Sequence, residues 1–189
     1  MNKIKQKIKK VILVSKLKLK YKNINLKINS NSFISTKAQI IMGNNSTIEI
    51  GENCYISDNT RLIVGKDSTL TIEDNVYISI NSIISSNSVV KIKKDTVIAH
   101  NVTIIDTNKN YNKMGVSIRE QGKSVEPIEI GENCWLSAGV VVLKGVILGE
   151  QCVVAANSVV NRSFNKYKVI GGIPSKVIRE IEKEYLNEN

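Results

Sequence analysis

"IEIGENCWLSAGVVVLKGVILGEQCVVAANSVV", residues 128–160, places an aliphatic side chain at every sixth position: Ile130, Leu136, Val142, Leu148, Val154 and Val160. A period of six matches neither the 3.6 of a helix nor the sustained alternation of a long strand. It implies a short strand and a corner, repeated, with one aliphatic side chain turned inward from each unit. Toward the N-terminus the same spacing resumes from new anchors: Ile28, Ile34, Ile40; Ile50, Ile56, Leu62; Ile72, Ile78, Ile84; Ile92, Ile98, Ile104. The fourth residue after the aliphatic is usually small or valine, as at Ser32, Cys54, Val76, Thr96, Cys134 and Cys152, and is expected to face in as well. Three units make one triangular coil, and about six coils stacked at the ~4.8 Å strand spacing make a prism with an aliphatic core.

The rest of the chain agrees with a β class. Its 189 residues suit one domain, and the scarcity of aromatics and proline beside abundant Ile, Val, Asn and Ser favours short strands with polar corners. "IGENCYISDNT" (50–60) is nearly repeated by "IGENCWLSAGV" (130–140). Extra residues enter only after the third unit of a coil: four after Ile40, four after Leu62, two after Ile84 and twenty after Ile104. The last insertion, "NKNYNKMGVSIREQGKSVEP" (108–127), is the kind of excursion that carries function on a rigid scaffold. The reading divides the chain into a basic amphipathic segment (1–27), a β-helix (28–165) and a capping segment (166–189). Short helical caps are expected at both ends. Ile4, Ile8, Val11 and Ile12 fall on one helical face, and Pro174 opens a helix that would align Val177, Ile178, Ile181 and Tyr185.

The formal net charge of +10 sits at one end. Residues 1–27 hold ten lysines and no acid, so the remaining 17 basic residues balance the 17 acidic ones. A neutral body without a stripe of arginines argues against nucleic acid. The lysine-rich segment 1–22 is expected either to lie on an anionic membrane surface or to cap the prism. No run of ~18 apolar residues occurs, and "VILV" (11–14) is too short for a secretory signal, so the expected location is cytoplasmic, with the inner face of the plasma membrane as the docking surface. Cys54, Cys134 and Cys152 form no CxxC pair and read as core filler.

"PIEIGENCWLSAGVVVLKGVILGEQCVVAANSVV" (127–160), followed by "VIGGIPSKVIREI" (169–181), resembles the hexapeptide-repeat acyltransferases of the galactoside, maltose and capsular-sugar O-acetyltransferase type. The resemblance implies a left-handed parallel β-helix, a homotrimer, and acetyl-CoA bound in a groove between neighbouring prisms without a metal. By motif it assigns the CoA groove to Ala138, Ala156, Asn161, Lys176 and Arg179, and sets Ser79 and Trp135 near the thioester or the acceptor sugar. The histidine base of such enzymes follows an "NVT" stretch; laid on "IAHNVTIIDTNK" (98–109), its position is Lys109.

Lysine is a poor substitute for that base. It titrates near ~10.4 unless desolvated, and Asn108, Asn110 and Asn112 supply no apolar pocket. The chain's one histidine, His100, lies nine residues earlier, one prism face away, and is a weaker candidate; Asp106 is expected to orient a partner or cap a turn. One histidine also excludes a three-histidine zinc site of the γ-carbonic anhydrase kind. The expected function is acetyl transfer to a sugar hydroxyl of a surface glycan or its precursor. The alternative is a catalytically impaired homologue that binds CoA or serves as a scaffold subunit.

Overall fold

The computed structural model describes residues 23–182 together with Ser15, Leu19 and Tyr21. The first coil is β1 (Asn25–Ile28), β2 (Phe33–Ile34) and β3 (Gln39–Met42); the second is β4 (Thr47–Ile50), β5 (Tyr55–Ile56) and β6 (Arg61–Val64). The third is β7 (Thr69–Ile72), β8 (Tyr77–Ile78) and β9 (Ile83–Ser86), and the fourth β10 (Val89–Ile92), β11 (Val97–Ile98) and β12 (Thr103–Ile105). An excursion then leaves the prism as β13 (Thr107–Lys109) and β14 (Lys123–Val125). The fifth coil is β15 (Ile128–Ile130), β16 (Trp135–Leu136) and β17 (Val141–Val142), and the sixth β18 (Ile147–Leu148), β19 (Val153–Val154) and β20 (Val159–Val160). β21 (Lys168–Gly172) and β22 (Ser175–Glu180) close the described chain.

These strands stack into the three flat faces of a left-handed parallel β-helix of about six coils. Face 1 is β1-β4-β7-β10-β15-β18, face 2 is β2-β5-β8-β11-β16-β19-β21-β22, and face 3 is β3-β6-β9-β12-β17-β20. The register follows the counted slots: Ile98 pairs with Leu136 and Leu136 with Val154, while Ile92 meets Ile130 across the excursion. Of the slot residues only Ile28 and Ile34, in the first coil, are half-buried; the others form the core. The three cysteines are core filler as expected, each thiol donating to a backbone carbonyl (Glu73, Gly149 or Asn165 O, 3.0–3.2 Å), and burial pushes the Cys54 thiol up.

The abundant asparagine is explained at the corners. Asn53, Asn59, Asn75, Asn81, Asn101 and Asn157 all sit at positive φ, a conformation that asparagine tolerates better than most side chains. Their amides also bond from coil to coil, as Asn59 Nδ2 does to Asn81 Oδ1 (3.2 Å).

The four extra residues that follow the third unit in each of the first two coils lengthen β3, β4, β6 and β7 to four residues each, so faces 1 and 3 are wider than face 2 at this end. One expectation needs correction: among the described residues the C-terminal helix is absent. Pro174 lies in a turn, its peptide bond to Ile173 cis, and residues 175–180 run back antiparallel to β21 as β22. β21 extends face 2 beyond β19 and exposes a fresh row of backbone donors and acceptors, which the β-branched Val177 and Ile178 answer as a strand. The N-terminal cap, residues 1–22, lies outside the described residues apart from Ser15, Leu19 and Tyr21.

Candidate functional site

Most of the sequence-predicted residues fall on two different edges of face 3. On the edge shared with face 2, one corner column runs through Asp58, Ile80, His100, Ala138 and Ala156, with Ser79 one residue earlier in the third coil. Above it lie Gly171 and Gly172 of β21. This corner is built tight. Gly139 has φ +70°, and a Cβ there would come within 2.2 Å of Asn157 Oδ1; a Cβ on Gly171 would meet both Ala155 Cβ and Ile178 Cδ1 at 2.9 Å. Gly139 N–H bonds to His100 O (3.0 Å) and Asn157 N–H to Ala138 O (2.9 Å), so backbone bonds stitch the upper coils together through this corner. His100 is exposed.

Lys176 and Arg179 are exposed on β22, Lys176 across from Gly171 at the same corner and Arg179 across from Val169, farther along face 2. Asn161 follows β20 on face 3 and does not share the corner of Ala138 and Ala156. Trp135 points outward from face 2, half exposed, in a column with Phe33, Tyr55, Tyr77, Val97 and Val153. The lower three rings stack on one another, with centroids 4.6 and 5.4 Å apart.

Lys109 and Asp106 lie at the opposite edge, where face 3 meets face 1. Asp106 is fully buried. It stands above Ser86, where the lower coils carry Met42 and Val64, and its carboxylate accepts the backbone N–H groups of Asn87 and Ser88 at 2.8 Å. The reason is local: most corners span four residues, but Asn87–Ser88 between β9 and β10 is a corner of two, and its amides turn inward where a carboxylate meets them. Asp106 is thus a corner cap, the second of the two roles foreseen for it.

From Asp106 the chain leaves as a ribbon. β13 and β14 pair antiparallel, Thr107 with Val125, Asn108 with Ser124 and Lys109 with Lys123. The tip is tied by Gln121, which accepts from Lys113 N–H (2.9 Å) and donates to Lys113 O and Val116 O (3.0 and 2.9 Å). Tyr111, Met114 and Ile118 are exposed there. Lys123 Nζ donates to Asn87 Oδ1 (2.7 Å), which fastens the ribbon to the prism. Sequence reasoning missed Lys123 and Asn87. Their partnership depends on the ribbon's turn, which carries no periodic signal. Among the described residues no group of three or more His, Cys, Asp or Glu side chains is arranged to hold a metal.

Residues 127–162 match the family model described as bacterial transferase hexapeptide (six repeats). Galactoside O-acetyltransferase of Escherichia coli (strain K12) is 34% identical over 102 residues, covering 53% of this chain and 49% of that protein. The chain spans about half the length of the curated relatives it matches. Among solved structures, a mutant of AntD, an N-acyltransferase from Bacillus cereus in complex with dTDP and coenzyme A, superposes with a TM-score of 0.70 at 19% identity, covering 89% of each chain. The polysialic acid O-acetyltransferase OatWY superposes with a TM-score of 0.57 at 25% identity, covering 88% of this chain and 92% of that one.

Proposed function

We propose that the chain, whose residues 127–162 match the hexapeptide-repeat transferase model, is an acetyl-CoA-dependent O-acetyltransferase that acts on a sugar hydroxyl of a surface glycan or its precursor. The observation that carries this reading is the corner between faces 2 and 3. Ala138, Gly139, Ala156 and Gly172 leave little side-chain volume there, and Lys176 stands at its upper end. A narrow shelf of backbone ending in a cation suits the pantetheine arm and phosphates of CoA. The relatives support the substrate classes: AntD was crystallised with coenzyme A, and the galactoside and polysialic acid enzymes are O-acetyltransferases.

In the reaction the sugar oxygen bonds to the acetyl carbon, the carbon–sulfur bond breaks, and the hydroxyl proton must be removed as the CoA thiolate leaves. A placed base contributes ~10²- to 10⁴-fold to such a step. The residue at the family's base position, Lys109, is across face 3 from the shelf. Five residue steps from Asn101 to Asp106 at ~3.3 Å each put about 16 Å between the two edges. One chain therefore does not bring them together, whereas a neighbouring prism offering its opposite edge would, which favours a homotrimer with sites between subunits.

Calorimetry with acetyl-CoA tests the binding step, and release of free CoA thiol in the presence of candidate sugars tests transfer. Given binding, Lys109→His is expected to raise transfer about tenfold or more, within the range of a placed general base, and His100→Ala to change little. Brisk wild-type turnover abolished by His100→Ala, with CoA affinity intact, would make His100 the base instead. The second reading, a CoA-binding homologue without catalysis or a scaffold subunit, is favoured by the lysine at the base position. It takes the lead if CoA binds and neither variant transfers acetyl.

The lysines of residues 1–22 suit an anionic leaflet at about 1 kcal/mol each. We propose peripheral attachment at the inner face of the plasma membrane. The full chain is expected to sediment with phosphatidylserine vesicles and a chain starting at Lys22 to remain in solution; equal sedimentation of the two removes the idea.

A further inference from the structure

We infer that the acceptor carries a negative group, a carboxylate or a phosphate on the sugar, held between the ammonium groups of Lys109 and Lys123 at the neck of the ribbon. The inference rests on the reading of this neck as part of the acyl-transfer site. Lys109 and Lys123 are directly opposite partners of an antiparallel pair, so both side chains leave the same side of the ribbon. Like charges in that relation oppose strand pairing. The neck has little to offset them: its other pairs are Thr107 with Val125 and Asn108 with Ser124, none of them fully buried.

Most other lysines of the prism meet acids. Lys27 pairs with Glu49, Lys91 with Glu73 and Lys93 with Glu129, at 2.6–2.9 Å. Among the described residues neither Lys109 nor Lys123 has a carboxylate partner, and the nearby acids are engaged: Glu126 by Lys144, and Asp106 by the amides of Asn87 and Ser88. Nor is the pair loose. Lys123 is fixed through Asn87, which Asp106 holds by its backbone N–H at 2.8 Å, and the strand pairing sets Lys109 beside it. A buried carboxylate thus positions a cation that it does not neutralise. Two ammonium groups held on one side of a short ribbon form a seat for an anion, which relieves their repulsion and accepts charge-assisted hydrogen bonds from both.

The test is calorimetric binding of a matched glycan panel to the full chain: uronate-, sialate- and phosphate-bearing oligosaccharides, each beside its methyl ester or dephosphorylated counterpart. At least one acidic member is expected to bind about tenfold tighter than its neutral counterpart, the worth of one charge-assisted hydrogen bond, with the preference shrinking as salt rises. Which member shows it separates carboxylate from phosphate recognition. Lys109→Met and Lys123→Met should each erase the preference, Lys109→Arg should retain it, and Lys113→Met at the tip should not alter it. Thermal melting checks that each variant is folded; Lys109→Met leaves the tether to Asn87 untouched. Equal binding of acidic and neutral members, no binding by any member, or a preference that survives both methionine variants overturns the inference. Acetyl-CoA affinity on the same samples keeps the two readings apart. CoA binding without an acid preference sinks only the anion seat, and an acid preference without CoA binding sinks only the transferase.

Discussion

Leu136→Asp is expected to leave no soluble, folded protein. Leu136 is fully buried between Ile98 and Val154 in the inner column of face 2. The substitution forfeits about 2 to 3 kcal/mol of apolar burial and forces either an unpaired charge or a protonated acid into the aliphatic stack, at a cost of several kcal/mol more. Against a typical domain stability of ~5–15 kcal/mol that is most of the reserve. The position also lies mid-stack, so the loss uncouples the fifth coil from both neighbours. Trp135→Asp, one residue away and pointing outward, should melt within a few degrees of wild type. Soluble yield and thermal melting by circular dichroism decide the matter. A Leu136→Asp protein that melts like wild type would refute the inner column.

Asp106→Ala is expected to destabilise the chain by about 3 to 5 kcal/mol. It removes the only acceptor that the backbone amides of Asn87 and Ser88 have among the described residues; each of these partly buried amides left unpaired costs ~1–2 kcal/mol, and the emptied core position adds a cavity. Asp106→Asn keeps one oxygen and should lose roughly half as much. Because Asn87 also holds Lys123, the ribbon should loosen with the corner. Denaturant titration reads the stability, and faster tryptic cleavage near Lys113 and Arg119 reads the loosening. A loss below about 1 kcal/mol would show that water satisfies the two amides in place of the carboxylate.

The column from Ile28 to Val160 was legible because burial acts on each unit separately: a six-residue count finds one inward slot per unit, though not the second inward positions of the longer strands, such as Ile48, Val64 and Leu70. The place of the excursion was legible for the same reason. What escaped the count were features made by two distant segments. Asp106 occupies an inward position, yet its role depends on a corner nineteen residues earlier being two residues short. Lys123 meets Asn87 only because the ribbon turns where it does. At the C-terminus the spacing of Val177, Ile178 and Ile181 fits a helix in isolation, and the free edge of β21 outweighed that local preference. The separation of Lys109 from Ala138 follows from the count, since the two lie at opposite edges of one face, a full unit apart.

A parallel β-helix is by construction a template for its own continuation, because the last coil offers the same donors and acceptors that the first one would accept. Left bare, both ends invite head-to-tail addition of further molecules, and such contacts do not close on themselves but grow as filaments. On face 2 the reversal into β22 interrupts this. An arriving β2 would meet an antiparallel strand studded with Lys176, Arg179 and Glu180 in place of a parallel apolar one. On this face the hairpin is therefore a poor template for a further coil, and the turn Gly172–Ser175 that makes it is held by bonds from Gly172 N–H to Ser158 Oγ and from the Ser175 hydroxyl to Gly172 O.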